Sequence, residues 1–179
     1  MKSRRPAKKE PTPTTCPIDA MKFLKNYTSS VPVSQTIARI EAVLISCEVS
    51  GITKDYGPSG KILAIRFHLD MDGKTVTIRL PANEDAAQDA LWQNYEETHK
   101  DMSQWDKRRK EREDFRDQAE RTAWKIVQDW VEVQLSMIAT RQAEFVQVFM
   151  PYVWDGKQTY FEAVRANHYK ALLPENSET

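Results

Sequence analysis

Two arginines, Arg66 and Arg79, are the residues whose types and spacing point most directly at chemistry. They sit in ILAIRFHLD and KTVTIRL, segments that alternate apolar and polar residues around Asp72-Gly73, a strong two-residue hairpin signal. Centring the register on that turn pairs Leu69 with Val76, Phe67 with Ile78 and Ile65 with Leu80. One face becomes an apolar ladder. The other sets His68 opposite Thr77 and Arg66 opposite Arg79. Like charges directly across a ladder destabilise it, so the pair must meet an anion, find a neighbouring acid or splay into solvent. Lys54 and Tyr56, in the preceding strand, share a parity and join this face if the register allows. Three cations, an imidazole and a phenol would form an anion or nucleic-acid platform, with phosphates on the arginines and bases stacked on the ring. The simpler reading is a solvent-facing sheet covered by aliphatic stems, with Asp55 and Asp70 balancing charge.

A second basic candidate is Trp105-Asp106-Lys107-Arg108-Arg109-Lys110. Four successive cations beside a tryptophan could follow a phosphate backbone. Acids at Asp106, Glu111, Glu113 and Asp114 dilute the field and favour a solvated helix. Carboxylates at Asp70, Asp72, Glu84, Asp85 and Asp89 raise the possibility of a two-metal nuclease. Yet Asp70 and Asp72 suit a turn, and Glu84 and Asp85 suit a helix start. Cys16 and Cys47 form no CxxC, and His68, His99 and His168 are scattered, so metal-ligand spacing is absent. No phosphate loop, dinucleotide fingerprint or nucleophile elbow occurs. The expectation is no catalytic residue, no metal and no cofactor.

The elements that must position these groups follow from pattern. Residues 1–17 are basic and proline-rich, without apolar periodicity, and read as a disordered tail that is either phosphate-attracting or merely solubilising. Residues 18–95 read as a core of helix, three antiparallel strands and helix. Within it, a helix from Ser34, capped by Ser34, carries Ile37, Ile40, Val43, Leu44 and Cys47 on one face, which makes Cys47 a core residue. Asn83 is a fit cap for the helix after the hairpin. Residues 96–118 are a charge run, read as an exposed helical arm. Residues 119–174 read as helices packing on the core, and 175–179 as a tail. The strongest periodicity is Ala119, Ala123, Ile126, Trp130, Val133 and Met137, beside a second stripe of Trp124, Val127, Val131 and Ile138. Two adjacent stripes predict a wide buried face with Trp124 and Trp130 as packing anchors, although three heptads could also pair with a second copy. Thr159-Tyr160-Phe161-Glu162 is a capping box opening a last helix. The fold class expected is α+β: helix, three-stranded antiparallel sheet, then a helical C-terminal half with a long Trp-rich helix.

Totals bound the function. Twenty-six basic residues cancel 26 acidic ones, which argues against a chain-wide nucleic-acid-binding field without excluding local patches. No apolar run is long enough to span a membrane, and no apolar segment follows the basic start as in a signal peptide, so the expectation is no membrane partner and a cytoplasmic location with reduced thiols.

YTSSVPVSQTIARIE, TIRLPAN, QAERTAWKIVQDWVEVQLSMI and VFMPY carry a resemblance to a family of small, largely uncharacterised proteins encoded by bacteriophages and prophages. The segments occur in the right order and cover most of residues 27–174. The resemblance implies a protein of the bacterial host cytosol, often encoded among replication and recombination genes. It implies no reaction, and the basic tail departs from the pattern. A topological likeness to double-stranded RNA-binding domains fails at Pro81 to Asp85, which is acidic where phosphates would be gripped. The leading expectation is therefore a non-enzymatic accessory protein that binds DNA or RNA through Arg66, His68, Arg79, Lys54 and Tyr56. The alternatives are a protein-binding inhibitor of a host defence complex, and a nucleotide-binding or nucleic-acid-processing enzyme. A host or phage protein and a homodimer are the other partners considered.

Overall fold

Asp72 and Gly73 turn the chain with left-handed backbone, φ 50° and 74°, and the strands they join pair in the register that alternation predicts. In the computed structural model, which describes residues 20–101, 103, 106 and 109–170, strand β2 (Ile62–Met71) pairs antiparallel with β3 (Lys74–Pro81). Ile65 faces Leu80, Phe67 faces Ile78, and Arg66 faces Arg79. Strand β1 (Gly51–Tyr56) adds antiparallel to the other side of β2, giving the order β1-β2-β3.

The apolar face of this sheet builds the core. After the short helix α1 (Ala20–Phe23), helix α2 (Val33–Ile45) contributes Ile37, Ile40 and Leu44, and helix α4 (Arg116–Ala139) contributes Trp124 and Val131, to one cluster with Ile65, Phe67, Ile78 and Leu80. Phe149, from the short helix α5 (Phe145–Phe149), completes it. The Phe67 ring meets Phe149 edge-on with centroids 5.6 Å apart, and Phe149 meets Trp130 at 5.5 Å in the same manner. Such pairs add to area burial because the positive ring edge faces the negative π-cloud. Helix α3 (Glu84–Thr98) packs its Ala87 and Leu91 against Ala119 and Ala123 of α4. Asn83 caps α3 as the sequence implies, its Oδ1 accepting from the Ala86 N–H at 3.1 Å. The architecture is α+β with a long Trp-bearing helix, as expected.

Four local expectations change. Helix α2 begins at Val33 with Pro32 in the capping position, so Ser34 lies inside the first turn and does not cap. That helix ends at Ile45, and Cys47 falls in the following turn, exposed. Its periodic spacing continues past the point where the chain leaves the helix. The run after α3 is no continuous helical arm: among its described residues, only α3 up to Thr98, a 3-10 turn at Arg112–Phe115 and the start of α4 are helical. Tyr95 pulls this stretch inward, its hydroxyl accepting from the Lys110 N–H at 2.9 Å, and Phe115 packs 5.4 Å from the Tyr95 ring. Finally, α4 is turned relative to its first stripe. Ala119, Ala123, Trp124, Gln128 and Val131 are buried, whereas Ile126 is 37% and Val133 56% exposed.

The rotation of α4 is testable by denaturant unfolding. Trp124→Ala, which empties the buried face of α4, should cost about 3–5 kcal/mol. Val133→Ala, on the same predicted apolar pattern but facing outward, should stay within about 0.5 kcal/mol.

Candidate anion-binding face

With α2, α4 and α5 on the apolar side, the opposite face of the sheet carries Thr53, Arg66, His68, Thr77 and Arg79, brought together by direct pairing across three strands. Thr53 faces Arg66, which faces Arg79 in turn. The two guanidiniums share one acid. Arg79 Nε donates to Asp55 Oδ2 at 3.0 Å. Arg66 Nε lies 2.7 Å from Asp55 Oδ1 with its N–H directed off the line to the oxygen, so this contact is an ion pair without a hydrogen bond. Asp55 belongs to β1 and Arg79 to β3, so their contact spans β2. Ala64 is the β2 residue in the Asp55 row, and its small, fully buried side chain leaves that crossing open.

Other contacts fix the rest of the face. His68 Nδ1 lies 3.0 Å from Thr77 Oγ1. Gly51 faces His68, and a Cβ at Gly51 would come within 3.2 Å of the His68 ring, so glycine there lets the imidazole lie flat on the sheet. Thr75 Oγ donates to Asp70 Oδ1 at 2.8 Å, so Asp70 serves the hairpin end and not the arginines. At the β3 edge, Trp154 N–H donates to Thr77 O at 2.8 Å, and the Trp154 ring lies 5.0 Å from the Arg79 guanidinium carbon. That cation–π contact fixes Arg79 against the edge. The segment is held by helix α6 (Tyr160–Ala166), whose capping box forms as expected: Glu162 Oε2 accepts from the Thr159 N–H at 2.6 Å.

The register breaks up the remaining predicted set. Lys54 faces Ile65, on the helix-covered side, and pairs with Glu41 of α2 at 2.9 Å. Tyr56 pairs with Ile62 beyond a bulge at Asp55/Tyr56 and is exposed away from the arginines. Neither joins the face, because side chains one residue apart from Asp55 must point to the other side. In the second basic patch, Trp105, Lys107 and Arg108 lie outside the described residues, as do residues 1–17. Arg109 approaches Glu96 at 3.8 Å, and the Lys110 ammonium lies over the Phe115 ring at 5.4 Å. Among the candidate carboxylates, Asp89 pairs with Arg112 at 2.7 Å, and no group of three or more metal-ligating side chains occurs among the described residues.

Sequence reasoning placed Asp55 as a general charge balance and missed Trp154 and Ala64 altogether. The turn at Asp155-Gly156 and the capping box marked the segment's shape, but nothing local says that it returns to β3.

Glu162 gives the face a pH signature. Hydrogen bonds from the Thr159 backbone and hydroxyl, with the charge of Arg79 nearby, hold its carboxyl below its ordinary 4.5. A depressed carboxyl contributes stability that is complete above the unfolded value and lost as pH falls through the folded one. Glu162→Gln should therefore cost about 1 kcal/mol at neutral pH, with the difference from the parent closing as unfolding is measured at pH values below 4.5.

No protein family, curated protein or solved structure matches this chain.

Proposed function

We propose that this protein is a non-enzymatic accessory protein that binds a nucleic-acid strand across the open face of its sheet. One observation carries the reading: two arginines stand directly opposite each other on that face and share a single carboxylate. The two cations set against this shared carboxylate, with Glu162 on the Arg79 side and Asp70 occupied by Thr75, stand on a face that also carries threonine hydroxyls and an imidazole. Phosphate contacts of this kind supply position and most of the affinity for single strands. Arg66 retains 34% exposure and is the accessible member; Arg79 is held by Trp154 and sits closer to Glu162. The resemblance to phage-encoded proteins supports a role beside replication or recombination.

Salt-titrated binding to single- and double-stranded DNA and RNA tests this. Arg66→Ala with Arg79→Ala should weaken binding at least tenfold and flatten the slope of log K on log salt by about 1.4, the loss of two phosphate contacts. Asp55→Asn should raise affinity while lowering stability, since it removes the competing anion. Unchanged affinity in both variants overturns the reading and leaves the triad a structural ion cluster.

A second reading, a protein-binding inhibitor, rests on a different observation. The outward stripe of α4 borders a groove of about 260 Å³ lined by Phe23, Ile126, Trp130 and Val133, with Phe23 63% exposed. Contiguous exposed apolar side chains mark interaction surfaces, and an amphipathic helix of a partner suits the groove. If so, Val133→Asp should release a partner that co-purifies after nuclease treatment, without changing the unfolding free energy by more than about 0.5 kcal/mol. A shift of the free protein from dimer to monomer in the same variant would instead assign the groove to a second copy.

A further inference from the structure

One row along β2 from Arg66 stands His68, on the same face and about 6.8 Å away, two residues at the rise of an extended strand. Its ring is bounded on both sides. Nδ1 lies 3.0 Å from Thr77 Oγ1 on β3. Toward β1 the ring borders Gly51, where a Cβ would come within 3.2 Å of Cδ2. The His68 carbonyl is tied down as well, accepting from the Ser50 N–H at 2.8 Å and from the Ser50 hydroxyl at 3.1 Å. Nε2 is left over: it has no partner among the described residues, and His68 is half-buried, not closed off.

The hydrogen bond made by one imidazole nitrogen decides which of the two carries the proton. The Thr77 hydroxyl can donate to Nδ1, which puts the ring proton on Nε2 and makes that atom a donor. Arg66 beside it meets Asp55 through Nε and keeps 34% side-chain exposure, so its outer nitrogens are open to a ligand. In the other direction along β2, Asp70 is turned to the Thr75 hydroxyl, 2.8 Å away, and its charge closes that end to an anion. Room for a phosphate therefore lies between Arg66 and His68. Arg79 is engaged by Asp55 and covered by Trp154, so a phosphate seated there meets one open cation and one neutral donor. That combination suits the single charge of a phosphodiester. A terminal phosphate, with nearly two charges at neutral pH, would call for a second open cation.

We infer that His68 is a phosphodiester contact, its Nε2–H donating to the phosphate that Arg66 holds. Thr77 is the positioning residue that keeps the proton on Nε2, and Gly51 is the gap that admits the ring. The inference rests on the reading of this face as a nucleic-acid surface. It names the ligand as an internal phosphate of a strand, not a strand end or a free nucleotide.

The test is salt-titrated binding of oligothymidylate to the full chain, on the alkaline side of the ordinary imidazole range. His68→Ala should weaken binding about fivefold, the loss of one neutral hydrogen bond. It should leave the slope of log K on log salt unchanged, because a neutral donor releases no counterion, whereas Arg66→Ala should flatten that slope by about 0.7. Thr77→Val, which keeps the branched shape and removes the hydroxyl, should weaken binding in the parent and add nothing beside His68→Ala. A proton–nitrogen correlation spectrum of the His68 ring, assigned through His68→Ala, should show the proton on Nε2. Thymidylyl-thymidine, with its one diester, should saturate a shift of that signal at lower concentration than thymidine monophosphate; the reverse order overturns the inference. Unchanged affinity in His68→Ala, while the Arg66/Arg79 double variant loses binding, removes His68 from the site and leaves the nucleic-acid reading standing. Unchanged affinity in all of these variants overturns both.

Discussion

The pleat of β2 is the constraint on which the molecule depends. Ile65 and Phe67 are both fully buried, and between them stands Arg66. A period of two leaves no choice: burying the odd residues against α2, α4 and α5 drives the even ones to the opposite face. The same logic on β3 buries Ile78 and Leu80 and sends out Arg79. The hairpin turn then fixes the register, so two cations meet directly across the ladder. Their meeting is a consequence of the core, and a one-residue slip would relieve it only by emptying that core.

Repulsion built in by the fold has to be answered within it. Asp55 answers, from a strand that within the sheet pairs with β2 alone, and it can reach both arginines because Ala64 lies between them. The triad is partly buried, with side-chain exposures of 34%, 20% and 23% for Arg66, Arg79 and Asp55. At that depth solvent screens much of the attraction, so the ion pairs add little net stability beyond cancelling the repulsion. What they do supply is orientation. Each guanidinium is held by its Nε side, Arg79 additionally by Trp154, in a layout fixed before any ligand arrives.

Legibility in the sequence followed the range of the interaction. The hairpin register, the Asn83 cap and the Thr159–Glu162 capping box depend on residues within a few positions of one another and were readable to the residue. The placement of Lys54 and Tyr56 was not, because it depends on how β1 meets β2, and the loop between them carries no two-residue turn that would set a register. Cys47 went astray because periodicity alone does not say where a helix stops; the chain turns at Ser46, and Glu48 takes a positive φ of 59°. On α4, two neighbouring apolar stripes are both compatible with a core, and the choice between Trp124 and Ile126 is made by the shape of α2, α3 and the sheet. The charge run after α3 hid the docking of Phe115 on Tyr95, an aromatic contact that outweighs many screened ion pairs of a few tenths of a kcal/mol each.

The shared carboxylate also decides from which side an anion can approach. A bare arginine pair would repel itself without ligand; here Asp55 answers both guanidiniums and Glu162 lies near Arg79. With Asp55 between the two guanidiniums, a phosphate arriving on the Arg66 side would add to the cluster instead of replacing its shared anion. The charge is not evenly spread, however. Glu162 lies close enough for Arg79 to depress its carboxyl, and the Trp154 ring covers Arg79 at the β3 edge. Arg66 has neither neighbour, keeps the greater exposure and makes no hydrogen bond to Asp55 through Nε. The more accessible cation is therefore Arg66, on the middle strand, with Thr53 facing it and His68 on the same face. On the proposed reading, a strand bound to this face would lie across β2 and β1 and not along the Trp154 edge, since Arg66 is the more exposed guanidinium and Arg79 is covered by Trp154.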